Sequence, residues 1–274
     1  MVRRRFNSRT LELYVPLVLL VLIVAACFLV PPLAGLPSGS TGSLIDANEG
    51  LGSQGHLLGT NALGADLLSA CLHGGQISVE VGLGAVVAGM VIGGLIGVLA
   101  GYFGGAVDVI MSRILDTFLA FPSLILALAI AAYLGPNERD EIIAIAFYTV
   151  PAFGRLARGA ARRVKQRDFI FSAWISGASR RSIVTSHVVP NVIAPVFTFA
   201  VVTVAVAMIV EAALSFLGLG IRPPAPSWGN LIQSGQQYLS TQPHIILVPS
   251  VFLFVTVLCL NLVGDALRAR WDLS

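Results

Sequence analysis

Three acidic residues lie within or beside long apolar stretches, where a charge is unfavourable: Glu80, Asp116 and Glu211. A carboxylate at the centre of a bilayer costs at least about 2.5 kcal/mol on insertion scales, so such residues usually face the interior of a helix bundle. Asp116 follows Arg113 by three residues, a spacing that lets the two side chains pair on one helix face. Glu211 suits either the lining of a passage or a bond to a neighbouring helix. Glu80 suits either a surface position or contact with a solute.

The sequence contains no pattern typical of an enzyme or a metal site. The four histidines and three cysteines are scattered, without C-x-x-C or any other metal-ligand spacing, so we expect no metal. There is no G-x-x-x-x-G-K-[ST] sequence, so this chain does not bind ATP through a P-loop. An intramembrane enzyme would need polar groups at matched depths, and Glu211 alone is insufficient. We therefore expect no catalytic residue and no cofactor in this chain.

The elements that must position these residues are membrane-spanning helices. Hydrophobic residues make up 56% and charged residues 11% of the 274 residues, whereas about a quarter of the residues in a soluble domain are charged. Backbone groups in hydrocarbon must pair internally, so helices are the default. Six apolar segments are long enough to cross a bilayer, and they cover residues 12–31, 76–101, 109–134, 141–158, 192–218 and 245–264. The prediction is an all-α integral membrane protein with six transmembrane helices.

Basic residues are unevenly distributed between the loops. With the N-terminus in the cytoplasm, fifteen of the seventeen Lys and Arg residues lie inside, and only Arg139 and Arg222 lie outside. This positive-inside bias predicts that both termini are cytoplasmic. The first span has the basic start of a signal peptide, but its length favours a retained helix. Residues 1–35 then form the tail and first span, 36–75 an extracytoplasmic loop, and 76–274 a five-helix core.

Two further patterns concern the outer loop and the second span. Residues 57–73 carry apolar side chains near helical spacing, so we expect them to lie along the outer membrane surface. Gly89, Gly93, Gly97 and Gly101 repeat every four residues and form a smooth stripe that lets helices approach closely. Internal packing is the favoured interpretation of this stripe, and contact with a partner protein is the alternative.

The segment 159–191 is the only large cytoplasmic loop, and it mixes basic with apolar residues. From Asp168 to Ser179 the apolar residues share helical faces, which predicts a short helix of about eleven residues, roughly 16 Å long. Gly177 is suited to end this helix or to let another backbone approach, and Pro190 is expected to break any continuation. Such a helix between two spans can act as a rigid peg for a soluble partner. The alternative is a basic loop on lipid headgroups, and the lack of interleaved aromatic platforms argues against nucleic acid.

Four motifs resemble the dipeptide/oligopeptide group of binding-protein-dependent ABC importer permeases. They are residues 58–66 (LGTNALGAD), residues 101–105 (GYFGG) with Asp116 and residues 121–123 (FPS), residues 177–179 (GAS) leading to 187–191 (HVVPN), and residues 211–220 (EAALSFLGLG) with 223–229 (PPAPSWG). Each motif alone is modest, but all four in this order are specific. Within the group, the sequence most resembles the C-type subunit of a dipeptide permease, which pairs with a B-type permease.

The resemblance implies a type I ABC importer transmembrane domain of the MetI-like kind, forming half of the translocation pathway for dipeptides or other short peptides. It also implies four kinds of partner: a homologous second permease in a heterodimer, two ATPase subunits or one fused ATPase, an extracytoplasmic substrate-binding protein, and the lipid bilayer. ATP and Mg²⁺ would be bound by the ATPase, and no nucleic acid is involved.

The loop of the family that matches residues 159–191 docks into a groove on the ATPase. The residues that the resemblance assigns to this coupling are Phe169, Ile170, Phe171, Ala173, Trp174, Gly177, Ala178, Ser179, Arg180, His187 and Pro190. The residues considered for the pathway or for a helix interface are Asp116, Glu211 and Glu80.

The chain departs from the family pattern at two positions. Where the coupling segment usually reads E-A-A, it has Phe171-Ser172-Ala173, so an acidic contact is lost and we expect Phe171 to supply an apolar one. Ala65 replaces a usual Arg. A different solute, such as an oligopeptide or a nickel chelate, is the alternative function. A stand-alone secondary transporter is more distant, because it would need inverted repeats and broken helices, and neither is evident in the sequence.

Overall fold

The computed structural model describes residues 2–39, 42–53 and 55–271, and the side chains from residue 13 to residue 270 within those ranges. Helices dominate, and the only β-structure in the described residues is two isolated bridges, Ser53–His56 and Thr60–Asp66. The α-helices are α1 Val2–Ala34, α2 Leu67–Ala88, α3 Gly94–Phe103, α4 Gly105–Leu119, α5 Ser123–Leu134, α6 Glu138–Lys165, α7 Asp168–Ile175, α8 Arg180–Ile183, α9 Val189–Phe216, α10 Trp228–Gly235 and α11 His244–Trp271.

Membrane-spanning helices account for most of the described chain. Four continuous helical stretches are long and apolar enough to cross a bilayer, namely Leu13–Ala34, Leu67–Phe103, Arg180–Phe216 and His244–Arg270. A fifth span is possible if α4 and α5 count as one broken element. α6 has 28 residues, but it carries charged residues in its first and last turns. The all-α membrane fold is therefore confirmed, while the count of six helices stays a prediction.

The third predicted span, residues 109–134, is not one helix. α4 and α5 meet at an angle of 82° across residues 120–122. Pro122 precedes the first residue of α5 with φ −56° and ψ 122°, outside the helical region, and a proline disfavours helical geometry in the residue before it. The sequence did not lead us to expect this broken helix.

The second span begins at Leu67 rather than at residue 76. Asp66 caps it, since its Oδ2 atom accepts a hydrogen bond from the backbone N–H of Ser69 at 2.8 Å. Residues 57–66 form turns in which Ala65 is fully buried. The prediction of one amphipathic segment along residues 57–73 is therefore wrong, because its second half belongs to α2.

Pro190 does not break the helix that contains it, contrary to the prediction. A π-helical turn, Val184–Val188, joins α8 to α9, so Arg180–Phe216 is one continuous helix of 37 residues. In this turn the N–H of Val189 donates to the carbonyl oxygen of Val184, five residues earlier. The wider π turn accommodates a proline, which has no N–H to donate and whose ring would clash with a carbonyl four residues earlier. A second π-helical turn, Gly89–Gly93, joins α2 to α3.

α6 lies at the centre of the packing and contacts α2, α3, α4, α5 and α9. The glycine stripe of the second span faces it. A Cβ atom on Gly97 would lie 2.9 Å from the Cβ of Ala157, and one on Gly101 would lie 2.9 Å from the Cβ of Ala161. These distances are too short for any side chain, so the glycines let the two backbones approach. Internal packing of the stripe is confirmed.

The two ends of the bundle differ. The basic end comprises the last turns of α6 together with α7 and α8, and it carries many arginines. The opposite end comprises the first turn of α6 and α10. There Trp228 is fully buried, its indole Nε1–H donates to the carbonyl of Cys71 at 2.8 Å, and its backbone N–H donates to Ser78 Oγ at 3.1 Å. α10 is thereby fixed onto α2.

Candidate functional site

The predicted coupling segment forms α7, a helix of eight residues between α6 and α8. It ends in a Schellman motif: the N–H of Ala178 donates to the carbonyl of Ala173 at 3.1 Å, and the N–H of Gly177 donates to that of Trp174 at 3.0 Å. Gly177 has a φ of +82°, which favours glycine, and a Cβ atom there would meet no atom within 4 Å. Gly177 therefore ends the helix, and among the described residues no other segment approaches it closely.

α7 turns an apolar face outward at the basic end. Phe171 and Trp174 are each 62% exposed and Ile175 is 66% exposed, whereas Ile170 is 6% exposed and packs into the core. The rings of Phe171 and Trp174 stack with their centroids 6.2 Å apart. Adjacent exposed side chains of this size are typical of a surface that binds another protein.

A cavity of about 300 Å³ opens beside this exposed face. Its lining is partly apolar and partly cationic, and comprises Tyr102, Phe103, Lys165, Ile170, Phe171, Trp174, Arg180 and Ile183. The ammonium group of Lys165 lies 5.7 Å from the ring centroid of Tyr102, which is a cation–π distance. The cavity thus connects α7 with the C-terminal ends of α3 and α6.

The structure brings the predicted coupling residues into one short region. The ring of Phe169 lies 6.4 Å from that of His187, so α7 contacts the π-helical turn before α9. The Oγ atom of Ser179 accepts a hydrogen bond from the N–H of Ser182 at 3.2 Å and caps α8. Five of the predicted residues lie on α7, namely Phe169, Ile170, Phe171, Ala173 and Trp174. Gly177 and Ala178 lie in the turn after it. Ser179 caps the next helix, which contains Arg180, His187 and Pro190.

Asp116 pairs with a residue on another helix. Its Oδ1 atom accepts a hydrogen bond from Arg155 on α6 at 2.8 Å. The predicted pair with Arg113 on the same helix is wrong, because α4 packs against α6 and brings the guanidinium group of Arg155 within reach. Both side chains are more than half exposed.

A second cluster at the basic end escaped the sequence analysis. Asp108 of α4 is almost fully buried and accepts hydrogen bonds from Arg158 and Arg162, which lie one turn apart on α6. The spacing of the two arginines was visible in the sequence, but nothing in it indicated that α4 would lie beside them.

The other two acidic candidates lie in contrasting surroundings. Glu80 is exposed on α2. Glu211 is fully buried, so no part of it faces open space in this chain, and its Oε1 atom accepts a hydrogen bond from Ser215 at 3.0 Å. Glu141 of α6, which the sequence analysis did not single out as a site, is buried with it.

The sequence matches one protein family and several relatives. Residues 93–272 match the family described as "Binding-protein-dependent transport system inner membrane component". The glutathione transport system permease protein GsiD of Pectobacterium atrosepticum is 40% identical over 225 residues, covering 82% of this chain and 74% of that protein. The dipeptide transport system permease protein DppC of Alkalihalophilus pseudofirmus is 38% identical over 217 residues, covering 79% of this chain and 71% of that protein.

Two further proteins extend the comparison, one by a longer sequence match and one by its structure. GsiD of Escherichia coli is 38% identical over 269 residues, covering 98% of this chain and 88% of that protein. A structure of the MetNI methionine ABC transporter in an inward-facing conformation superposes with a TM-score of 0.59 at 18% identity, covering 73% of this chain and 95% of that chain. The last comparison shows the fold alone, and it agrees with the MetI-like architecture.

The motifs, the helical membrane fold and the relatives agree on one kind of protein. The relatives are named as transport system permease proteins. The chain belongs to the family of binding-protein-dependent transport system inner membrane components and is a permease subunit of an ABC importer.

Proposed function

We propose that this chain forms half of the translocation pathway for dipeptides or other short peptides in the bacterial cytoplasmic membrane, and that α7 couples an ATPase to the movement of the helices. The substrate class is supported by the relatives, whose names specify glutathione and dipeptides. Both compounds are short peptides, so the shared chemistry is a short backbone with charged groups.

The observation that carries the coupling role is the exposed face of α7, formed by Phe171, Trp174 and Ile175. In the described part of the chain no residue covers it. Phe171 stands where the family has an acidic residue, and its exposure supports an apolar contact with the ATPase in place of a charged one. The arginines beside it suit a partner surface with acidic residues around an apolar groove.

Two short connections transmit movement of α7 to the membrane. α6 ends at Lys165 and α7 begins at Asp168, while the continuous helix Arg180–Phe216 begins soon after α7 ends. Neither connection is long enough to absorb a large displacement. ATP binding would close the ATPases, push α7 and tilt both long helices, which opens the pathway outward, and hydrolysis would reset them.

The remaining partners follow from the family and from the orientation. A homologous second permease completes the pathway as a heterodimer, and two ATPase subunits or one fused ATPase bind at the basic end with ATP and Mg²⁺. The positive-inside bias supports a cytoplasmic location for this end and for both termini. An extracytoplasmic binding protein then delivers the peptide at the opposite end, where α10 lies.

Site-directed photo-crosslinking tests the coupling role in native membranes. A crosslinking amino acid at Trp174 or Phe171 is expected to capture a nucleotide-hydrolysing protein. The same group at Leu239 serves as a matched control, since that residue is 54% exposed near α10. Capture of lipid alone at Trp174 and Phe171 would overturn the coupling role and favour contact with headgroups.

Uptake by the reconstituted importer tests the substrate class. Vesicles that contain both permeases, the ATPase and the binding protein should accumulate labelled dipeptide when ATP is supplied. Accumulation of a nickel chelate but no peptide would support another solute of the same family. Peptide uptake by vesicles that lack the ATPase would instead support a secondary transporter.

A further inference from the structure

Two carboxyl groups, Glu141 and Glu211, are buried together at the end of the bundle opposite to α7. Glu141 lies in the first turn of α6 and Glu211 near the end of α9, and both side chains are essentially inaccessible. Ser215 lies beside both acids: its Oγ atom donates to Glu211 Oε1 at 3.0 Å, and its hydroxyl also acts on Glu141. A Cβ atom on Gly220 would touch Ser215 Oγ and would lie 2.6 Å from Glu141 Oε1. The two acids therefore share one small interior space.

Three of the four carboxyl oxygens in this space lack a hydrogen bond of good geometry with the described residues, namely both oxygens of Glu141 and the Oε2 atom of Glu211. The nearby donors are the hydroxyls of Ser78 and Ser227 at Glu211 and the backbone N–H of Ile221 at Glu141. No ion pair found among those residues involves either acid. Glu138, the further titratable group that acts on Glu141, is also acidic. Two carboxylates in such a place would repel each other, and a few neutral donors would replace their hydration without any cation to balance the charge.

We propose that Glu141 and Glu211 form a buried proton-binding site in which at least one of the two side chains is a neutral carboxylic acid. A proton removes the charge of one carboxylate and converts one of its oxygens into a donor, for which a hydroxyl oxygen in the same space can serve as acceptor. Close pairs of buried carboxyl groups generally hold a proton in this way, because both cannot ionise at once.

The surroundings favour a proton over a metal ion as the ligand. Among the described residues, no third His, Cys, Asp or Glu lies close enough to hold a metal ion together with these two acids. The backbone of Gly220 closes one side of the space, since a Cβ atom there would lie 2.6 Å from Glu141 Oε1. A proton needs no coordination shell and no additional volume.

The site joins parts of the chain that are distant in sequence. Glu141 lies at the start of α6 and Glu211 near the end of α9, and these two helices are the ones that extend from either side of α7. Loss of the proton would place two negative charges between them and push the helices apart. Both acids belong to this chain, so the proton site does not depend on which solute the importer carries.

Infrared difference spectroscopy of the full importer complex in lipid nanodiscs tests the proposal. A neutral carboxylic acid has a C=O stretch at higher wavenumber than either carboxylate stretch. Spectra of wild type are compared with those of Glu141→Gln and Glu211→Gln, with Asp140→Asn as the matched control on the same helix turn. We expect the carboxylic acid band to be lost in at least one of the two site variants and retained in the control.

Two results would overturn the proposal. One is loss of a carboxylate band, and of no carboxylic acid band, in both site variants. The other is a carboxylate band that shifts between sodium and potassium buffers, which would indicate a metal cation. If neither site variant assembles, the wild-type complex decides: a buried acid gives a C=O band that shifts only slowly after transfer to D₂O, and the lack of such a band rejects the site.

Discussion

Asp108 of α4 accepts two hydrogen bonds from the guanidinium group of Arg158 on α6, although the aspartate side chain is only 7% exposed. Arg162, one turn further along α6, donates to the same carboxylate at 2.6 Å. The pairing satisfies a buried charge with two cations and ties α4 to the central helix at the basic end. Bidentate arginine–carboxylate pairs of this kind are also geometrically specific.

Asp108→Asn is expected to lower the stability of the permease. Removing one partner of a buried ion pair costs about 3 kcal/mol, because it leaves the arginines unpaired in a partly buried position. The measurement is the melting temperature of the purified complex. Asp116→Asn is the control, since its pair with Arg155 is exposed and such pairs contribute at most about 1 kcal/mol. Equal shifts in the two variants would contradict the prediction.

Gly97→Ala is expected to disturb the contact between α3 and α6. The added methyl group would lie 2.9 Å from both the Cβ of Ala157 and the backbone nitrogen of Arg158, and overpacking of this kind costs about 1–3 kcal/mol. Gly94→Ala, one turn earlier on the same helix, is the control because its Cβ atom would meet nothing within 4 Å. Folded yield and melting temperature should fall for Gly97→Ala alone. A similar fall for Gly94→Ala would mean that helix flexibility, not packing, is responsible.

Trp174→Ala should affect ATPase binding and Ile170→Ala should affect stability, although the two residues are one turn apart on α7. Trp174 is exposed, so its removal should leave the melting temperature of the permease unchanged but weaken ATPase binding about tenfold or more, as for aromatic hot spots. Ile170 is buried, so its removal should lower the melting temperature, at a cost of about 2–4 kcal/mol. Co-purification of the ATPase and thermal unfolding measure the two quantities. Unchanged ATPase binding in Trp174→Ala would argue against docking at α7.

Gly177→Trp is expected to leave membrane insertion normal and to weaken association with the ATPase. Its φ of +82° strains any other residue by about 1 kcal/mol, which loosens the end of α7. The bulky ring would also occupy space that is open in this chain and is available to a partner. Ser176→Ala is the control, because the preceding residue has an ordinary helical φ. Normal association and uptake in Gly177→Trp would contradict the prediction.

Features that depend on contiguous residues could be predicted from the sequence. Gly177 was correctly predicted to end a helix, because a positive φ after an apolar helical stretch is a local requirement. The stripe of Gly89, Gly93, Gly97 and Gly101 indicated close internal packing, because its spacing places all four on one face. Which helix packs against that face was not accessible, since α6 is separated from the stripe by two further helices.

Two predictions were wrong because they considered only neighbouring residues and not the contacts between helices. Pro190 is expected to break a regular α-helix, yet it directly follows a π-helical turn and the helix continues to Phe216. Asp116 has a basic neighbour at helical spacing, yet Arg155 pairs with it across the interface between α4 and α6. In both cases the nearest partner in sequence was not the nearest in space.

The sequence by itself determined that this protein is a helical membrane permease of a binding-protein-dependent importer. The hydrophobicity of a contiguous segment is a property of the chain and does not depend on how the helices pack. The same is true of the order of the motifs. Only the tertiary structure decided which charges are paired, that the span at residues 109–134 is bent, and that Glu141 and Glu211 share one interior space. Those outcomes depend on which helices lie side by side, and residues 70 positions apart meet only when the bundle has assembled.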